Sequence, residues 1–301
     1  MKLNKPKFWD TEKSLFSKFL LPLSFITQLI IWAKDIVIKP ISFNIPVICI
    51  GNIYIGGTGK TPLSIFIANE LTKNKKNPVI IKKFYTLHKD EHKLIQNKYK
   101  NLILNRDRSQ AINEAIEKKF DVAILDDGFQ DNTISKDLNI ICFNQNQLIG
   151  NGRIIPAGPL RQNLSSLKKA NIIIINGGRD KKFENKIFNL NKDLSIFYSN
   201  YEPVNIDRFQ GKKIVAIAGI GNPINFFNLL EDFKLNVVEK YEFPDHYAFN
   251  KSELTSIVEN AKKNDYHPLM TEKDYFRIKE LELENLDYLE VILKIKEKEK
   301  L

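Results

Sequence analysis

The sequence predicts an α/β protein in which two parallel-sheet units follow an N-terminal apolar helix. From residue 46 onward, short apolar runs alternate with stretches long enough for helices. Several runs are continuously apolar, as expected of strands that are buried on both faces of a parallel sheet. A glycine-rich segment ending in Gly-Lys-Thr follows the first run, and a polar, turn-rich stretch separates two series of runs. Two α/β units, the first with a phosphate-binding loop, are therefore predicted.

The apolar runs also define the predicted domain boundaries. The first series comprises residues 47–51, 78–83, 102–105, 122–127, 139–144 and 171–176, and the second comprises 213–221, 235–243, 268–274 and 289–296. The predicted regions are an apolar helix region at 1–40, a P-loop domain at 41–200, a linker at 201–212 and a smaller α/β domain at 213–301.

Composition limits the class of protein without deciding it. The chain has 301 residues, 43% of them hydrophobic, which is enough for one large or two ordinary domains. Its net charge of +10 suits a nucleic acid, an anionic membrane or a phosphorylated substrate, and equally a general excess of lysine. No aromatic-and-basic recognition motif is visible, so we expect no nucleic-acid partner. Cys49 and Cys142 lie in apolar runs and suit reduced core residues.

The N-terminal apolar segment fits either a helix on a membrane surface or a helix packed within a soluble protein. Between Lys18 and Lys34 it runs 15 residues without a charge, and Pro22 interrupts it. A membrane-spanning helix needs about 20 apolar residues, so a crossing is not expected, and neither is a cleavable signal peptide. Flanking lysines and Trp32 suit a helix lying in the plane of a membrane surface. A helix packed within a soluble protein fits the composition equally well.

The glycine-rich segment is the main chemical signal. Its residues are Gly56, Gly57, Thr58, Gly59, Lys60 and Thr61. The usual P-loop pattern places an early glycine at position 54, where this chain has Tyr54, but the strand before the loop and the helical pattern after it are as required. Backbone N–H groups and a helix N-terminus would bind phosphate. Lys60 would reach the β- and γ-phosphates and Thr61 would hold Mg²⁺. An ordinary glycine-rich turn is the alternative.

Paired carboxylates end the fourth apolar run. Asp126 and Asp127 follow a strand pattern, at the position where a P-loop enzyme keeps the acid that organises Mg²⁺. Two adjacent side chains cannot both point along one strand face, so we expect different roles for them. Gly128 then permits a sharp turn. An Asp-Asp-Gly turn that merely closes the strand is the alternative.

A second acidic cluster lies at residues 87–94. His88, Glu91 and His92 match the H-x-x-E-H pattern of an inverted zinc protease, but neither a long stable helix nor a further acidic ligand is visible, so we expect no zinc. Asp90 and Glu91 could serve a nucleotide site or form a solvated surface cluster.

Two further loops contain polar groups. Arg153 and Arg161, in the glycine- and proline-rich stretch 150–170, suit phosphate recognition or belong to a structural turn. The stretch 216–227 lacks the third glycine of a dinucleotide site, so we interpret its turn as structural.

The second series of runs adds two short motifs. Asp245 and His246 lie in an aromatic loop, where a packed or solvated histidine is the common outcome. The stretch 270–274, "MTEKD", has the wrong spacing for a guanine-reading motif.

Together these motifs resemble the tetraacyldisaccharide 4′-kinases, the lipid A kinases of Gram-negative bacteria. The motifs, in order, are "LLPLSF", "IGNIYIGGTGKTP", "DDGFQ", "GNGRIIPAGPLR", "AGIGNP", "FPDHYAF" and "TEKD". They cover most of the chain, and the combination is specific to this family. The family's loop also reads G-G-T-G-K-T without the early glycine, which accounts for Tyr54.

The resemblance implies a fold and an activity. It implies two α/β/α domains joined by a short β linker, with the active site in the cleft between them. The γ-phosphate of ATP would pass, with Mg²⁺, to the 4′-hydroxyl of a tetraacylated glucosamine disaccharide 1-phosphate, the lipid A precursor. The enzyme would dock through its N-terminal helix on the anionic cytoplasmic face of the bacterial inner membrane. No obligate protein partner is expected.

The resemblance also implies residue roles. Lys60, Asp90 and His246 would be catalytic, with Asp90 as the base and His246 as its partner. Nucleotide contacts would come from Gly56, Gly57, Thr58, Gly59, Lys60, Thr61 and Gln130. Magnesium contacts would come from Thr61, Glu91, Asp126 and Asp127. A carboxylate oriented by histidine can accept the proton of a sugar hydroxyl, which is otherwise a poor nucleophile.

The chain departs from the family pattern around the proposed base. "KKFYT" (82–86) replaces Ser-Arg-Gly-Tyr-Gly, and Lys89 and His92 replace the glycine and proline that flank Asp-Glu. Asp131 and Gln162 stand where a histidine and a glutamate are common. The P-loop itself is unaffected. A P-loop NTPase acting as a conformational switch or partner-loading factor is the alternative function, which the apolar helix and the missing guanine-reading motif disfavour.

Overall fold

The fold is described by a computed structural model that covers residues 6–85, 89–245 and 247–301, without the side chains of Lys89 and Asp90. The chain divides into two compact units. The N-terminal unit consists of residues 6–84, 99–200 and 295–301, and the C-terminal unit consists of 85–98 and 201–294 within those described ranges. Asp90 lies on a helix, but its side chain and all of His246 fall outside the described residues.

The strands and helices follow the alternating pattern. The strands are β1 Val47–Gly51, β2 Pro78–Lys83, β3 Leu102–Asn105, β4 Val122–Asp126, β5 Leu138–Asn144, β6 Ile172–Asn176, β7 Ser195–Pro203, β8 Lys213–Ala218, β9 Asn236–Glu242, β10 His267–Thr271, β11 Asp287–Leu289 and β12 Val291–Ile295. The helices are α1 Leu15–Phe19, α2 Leu21–Val37, α3 Lys60–Lys73, α4 Lys89–Lys98, α5 Arg108–Glu117, α6 Lys181–Phe188, α7 Pro223–Asp232, α8 Lys251–Lys263 and α9 Glu272–Ile278.

The larger sheet has eight strands in the order β12-β7-β6-β5-β1-β4-β2-β3. Neighbouring strands from β7 to β3 in this order pair in parallel. Every residue of β4 is buried, because helices and loops cover both faces of a parallel sheet. The predicted α/β class, with a large, mainly parallel sheet, is confirmed.

The order of the strands brings two predicted motifs to one edge of this sheet. β1 lies between β4 and β5, and Ile50 of β1 pairs with Asp126 of β4. Parallel strands end at the same edge, so the loop after β1 and the carboxylates that end β4 are neighbours. Ligands of open α/β sheets bind outside the carboxyl ends of the strands.

The C-terminal unit contains a four-stranded parallel sheet in the order β11-β10-β8-β9. Apolar clusters cover both of its faces, one containing Phe227 and Leu230 of α7 and the other Leu254 and Val258 of α8. Helix α4 belongs to this unit, although its sequence lies within the first series of runs. Salt bridges from α4 to Glu272 and Glu280 contribute to its attachment.

The N-terminal helices have an unusual distribution of buried residues. Only Ser17 of α1 and Ser24 of α2 are buried, and their hydroxyls donate hydrogen bonds to Ala157 O and Ile154 O. The large apolar residues that are exposed are Leu15, Phe16, Phe19, Leu21, Leu23, Phe25, Ile26, Leu29, Ile30, Trp32, Ile36 and Val37. Among the described residues, no helix is long and apolar enough to cross a membrane.

Candidate nucleotide site

The glycine loop is shaped for a phosphate. Gly56 and Gly59 have φ angles of 113° and 92°, a region that residues with a Cβ atom rarely adopt. Helix α3 begins at Lys60, directly after the loop, so its first N–H groups lack intrahelical partners. A Cβ built on Gly56 or Gly57 would meet no atom of the described residues within 4 Å. The loop therefore offers an accessible surface and a helix N-terminus to an anion.

Tyr54, which stands where the early glycine was expected, has a packing role. It is fully buried in the core beside Ile53 and Leu160, and it forms an antiparallel bridge with Leu160. The backbone N–H of Arg161 donates to Ile53 O at 2.7 Å. The loop at 150–161 is thus fastened to the start of the glycine loop, which brings Arg161 to the site.

Asn52 stabilises the glycine loop through hydrogen bonds of its side chain. Its amide donates to Thr58 Oγ1 at 3.0 Å and to Gly56 O at 3.3 Å, and its side chain is fully buried. Gln130 Nε2 donates in turn to Asn52 O at 2.7 Å. Gln130 therefore supports the loop, and its predicted contact with nucleotide stays a prediction. Sequence reasoning missed Asn52, whose only signal is a polar residue directly after a buried strand.

Asp126 lies at the centre of a buried polar cluster. Its Oδ2 accepts hydrogen bonds from Thr61 Oγ1 at 3.0 Å and from Lys82 Nζ at 2.5 Å. Its Oδ1 accepts from Ser64 Oγ at 3.2 Å. Asp126 has no exposed surface, so Lys82 supplies the opposite charge that a buried carboxylate requires. Thr61 and Asp126, both predicted to bind metal, are thus in direct contact.

The carboxylate of Asp127 contacts different residues from those that contact Asp126. Its φ angle is 59°, and its carboxylate accepts from Arg161 Nη1 at 3.0 and 3.2 Å and lies 3.6 Å from Lys60 Nζ. Burial raises the pKa of Asp127, but the charges of Lys60, Arg161 and Lys82 outweigh this and hold the pKa at about 2. The carboxylate is ionised at neutral pH and pairs with both Lys60 and Arg161.

Replacing Arg161 with glutamine is expected to raise the pKa of Asp127 toward its ordinary value of 3.8. A lowered pKa stabilises the folded state above the unfolded value, and this contribution is lost as pH falls through about 2. The difference in unfolding free energy between wild type and variant should therefore be largest near neutral pH and shrink as the pH approaches 2. Urea unfolding at pH 6 and pH 2.5 measures it.

The exposed Arg106 provides the matched control for that experiment. Arg106→Gln should leave stability nearly unchanged at both pH values, because surface substitutions have small effects. A difference for Arg161→Gln that stays constant from pH 6 to pH 2.5 would show that Asp127 does not cause it.

The donors at Asp126 suit a magnesium ion. Mg²⁺ prefers oxygen ligands and uses one or two carboxylates together with substrate phosphates. The hydroxyl of Thr61, in the first turn of α3, and the carboxylate of Asp126, at the end of β4, are oxygen groups of this kind and lie in contact. No group of three or more His, Cys, Asp or Glu residues able to hold a metal occurs in the part of the chain that the structure describes.

The other predicted residues lie in the C-terminal unit. Glu91 forms a salt bridge with Lys273 Nζ at 3.2 Å, and the same ammonium lies 3.3 Å from Asp245 Oδ1. Lys273 therefore joins α4 to the loop that precedes His246. The roles of Asp90, Glu91 and His246 stay predictions.

The "TEKD" motif stabilises a turn in the C-terminal unit. Asp274 is fully buried and accepts hydrogen bonds from Gly219 N and Thr271 Oγ1, both at 2.7 Å, and from Arg277 Nη1 at 2.9 Å. Burial raises the pKa of Asp274, although Arg277 opposes this. These contacts fasten the turn after β8 to α9, as expected of a structural turn.

A mainly parallel sheet, a glycine loop opening a helix and paired aspartates at the end of the neighbouring strand are typical of P-loop nucleotide-binding proteins. The family model for tetraacyldisaccharide-1-P 4′-kinase, LpxK, matches residues 16–301. The chain belongs to this family, and the resemblance of its motifs is confirmed.

Individual relatives agree with this assignment. The chain is 44% identical to the tetraacyldisaccharide 4′-kinase of Pelagibacter ubique over all of this chain and 96% of the relative. It is 33% identical to that of Rickettsia typhi over 92% of this chain and 90% of the relative. Among solved structures, LpxK from Aquifex aeolicus, an "apo" form in complex with ATP, matches with a TM-score of 0.72 at 25% identity, covering 95% of this chain and 97% of that one.

Proposed function

We propose that this protein transfers the γ-phosphate of ATP to the 4′-hydroxyl of tetraacyldisaccharide 1-phosphate in lipid A biosynthesis. The main structural support is the direct contact of Lys60 and Thr61 with the paired carboxylates of Asp127 and Asp126. This arrangement suits phosphoryl transfer, in which positioning and charge stabilisation provide most of the catalysis. Membership of the kinase family supports the lipid acceptor.

ATP is the proposed phosphate donor. The solved Aquifex relative was crystallised in complex with ATP, and this chain keeps an accessible glycine loop. The backbone from Gly56 to Thr61 would hold the phosphates, and Lys60 would neutralise the charge that develops on the transferred group. Asn52 and Gln130 would hold the loop in the shape that phosphate binding requires.

Magnesium is the proposed cofactor. When bound, Mg²⁺ supplies charge neutralisation on the phosphates of the nucleotide. Thr61 and Asp126 are its proposed ligands within the N-terminal unit, and Asp127 would contribute through its charge. Glu91 is a further proposed ligand, on the family resemblance.

Asp90 is the proposed general base, with His246 as the group that orients it. A carboxylate that accepts the proton of the 4′-hydroxyl would make that oxygen a better nucleophile as the bond to phosphorus forms. This assignment rests on the family resemblance, and the salt bridge of the neighbouring Glu91 with Lys273 helps to hold the helix that bears Asp90 within the C-terminal unit.

The surface of α1 and α2 is proposed to dock on the cytoplasmic face of the inner membrane. Exposed aromatic and aliphatic side chains on both helices, with the serines turned inward, leave an apolar surface of the kind that inserts into the headgroup region. Lys18 and Lys34 would add attraction to anionic lipids. Docking of this kind would bring the enzyme to a substrate with four acyl chains.

Replacing Phe19, Phe25 and Trp32 together with serine is expected to weaken binding to anionic vesicles at least ~10-fold. These side chains are 79%, 61% and 61% exposed. Each large apolar side chain that leaves water contributes about 1.5–3 kcal/mol, so the loss of three should be readily measured. Vesicle co-sedimentation gives the result.

A matched triple substitution elsewhere on the surface is the control. Val204, Ile224 and Ile292 are 52%, 56% and 50% exposed, and their replacement with serine should leave vesicle binding unchanged. Equal binding by wild type and the α1–α2 variant would place the membrane contact elsewhere.

Turnover of ATP with and without the lipid acceptor tests the proposed function. A kinase should consume ATP rapidly only when tetraacyldisaccharide 1-phosphate is present. Turnover that is independent of the acceptor would favour a P-loop NTPase acting as a conformational switch.

A further inference from the structure

We propose that Lys82 is a built-in counter-charge for Asp126, which a divalent cation must displace, and that it keeps the metal affinity of the nucleotide-free protein low. This inference rests on the proposed metal role of Asp126. It assigns to Lys82 a role in metal binding, which is to disfavour a divalent cation at Asp126 until nucleotide is bound.

Strand register creates the contact between these residues. β2 and β4 are neighbours in the sheet, and Lys82 pairs directly with Asp126. Residues paired in register on neighbouring strands project to the same face of the sheet. The ammonium of Lys82 and the carboxylate of Asp126 therefore lie next to each other. The Lys82 side chain is 7% exposed and that of Asp126 is 0% exposed. Burial of this kind makes the two charges dependent on each other.

Lys82 and Thr61 approach the same oxygen of Asp126, but they differ in their compatibility with a metal. The Thr61 hydroxyl donates to Oδ2 and still has lone pairs of its own, so it would be able to serve as a metal ligand. The ammonium of Lys82 has no lone pair, and it lies 2.5 Å from Oδ2. A divalent cation held by that oxygen would therefore lie beside a second positive charge unless Lys82 moved away.

This arrangement couples metal entry to nucleotide binding. Without nucleotide, Lys82 neutralises Asp126, and a divalent cation gains little by replacing it. The phosphates of a bound nucleotide bring negative charge, which attracts Mg²⁺ and offers the displaced ammonium a new partner. Lys82 would thus favour the entry of metal together with nucleotide over the entry of metal alone.

Titration of the nucleotide-free protein with Mn²⁺, followed by the electron paramagnetic resonance signal of the free ion, tests this inference. Lys82→Met should bind Mn²⁺ at least ~10-fold more tightly than wild type, since it removes a cation from the metal's immediate surroundings. Lys82→Arg, which keeps the charge, and Lys118→Met, on the exposed face of α5's C-terminal end, should both resemble wild type. Equal or weaker binding by Lys82→Met would overturn the proposal.

Thermal unfolding gives a second measure. Lys82→Met leaves a buried carboxylate without its counter-charge, so it should melt at a lower temperature than wild type in EDTA and recover in Mn²⁺. If the variant is unfolded in EDTA, added Mn²⁺ should refold it. Failure of Mn²⁺ to restore stability would contradict the proposal. Neither experiment contains a lipid acceptor, so both outcomes are independent of whether phosphoryl transfer is observed.

Discussion

Lys60→Ala is expected to lower phosphate transfer at least ~100-fold, the scale seen when a major charge contact to the transition state is lost. Lys60 opens α3 directly after the glycine loop, and its ammonium lies 3.6 Å from Asp127. Its side chain is only 13% exposed, so its charge is little screened by water. The turnover number with saturating ATP and acceptor measures the effect.

Lys73, at the other end of α3, provides the matched control. It is exposed and pairs with Glu70 three residues earlier on the helix. Lys73→Ala should keep nearly full activity, because exposed ion pairs contribute little. Near-normal transfer by Lys60→Ala would remove the glycine loop from the mechanism.

Asp90→Asn is expected to lower turnover ~10²–10⁴-fold while ATP affinity changes little, the range that a general base contributes. Asparagine preserves the shape of the side chain but cannot accept the proton of the 4′-hydroxyl. The comparison should be made at saturating ATP, with the dissociation constant for ATP measured separately.

Asp193→Asn is the control for this substitution, since Asp193 is exposed and lies in a turn of the N-terminal unit. It should leave turnover unchanged. An Asp90→Asn variant that loses ATP affinity but retains turnover would show that Asp90 is not the base.

The fold and the phosphate-binding end of the site were predictable because their signals are local. Continuous apolar runs such as 122–125 indicate burial on both faces, as in a parallel sheet. Three glycines before Lys60 and Thr61, placed between a strand and a helix, are difficult to explain except as a phosphate-binding loop. Short-range spacing was therefore enough to place the loop, even with Tyr54 in the position of the early glycine.

The contacts that complete the site depend on pairing between distant segments. Lys82 reaches Asp126 because β2 and β4 are neighbours in that register, and 44 residues separate the two in sequence. Arg161 reaches Asp127 because the segment around Leu160 pairs with Tyr54. Asn52 was missed because a single buried amide has no periodic signature. Register and loop packing of this kind cannot be derived from the spacing of residues in one sequence.

The most direct test of the proposed function is the transfer of labelled phosphate from γ-labelled ATP to purified tetraacyldisaccharide 1-phosphate in detergent micelles. We expect wild-type protein with Mg²⁺ to yield a labelled lipid phosphorylated at the 4′-position, and Lys60→Ala to yield almost none. Intact ATP binding without any labelled lipid would contradict the assignment, and would mean that this chain binds nucleotide but acts on a different acceptor.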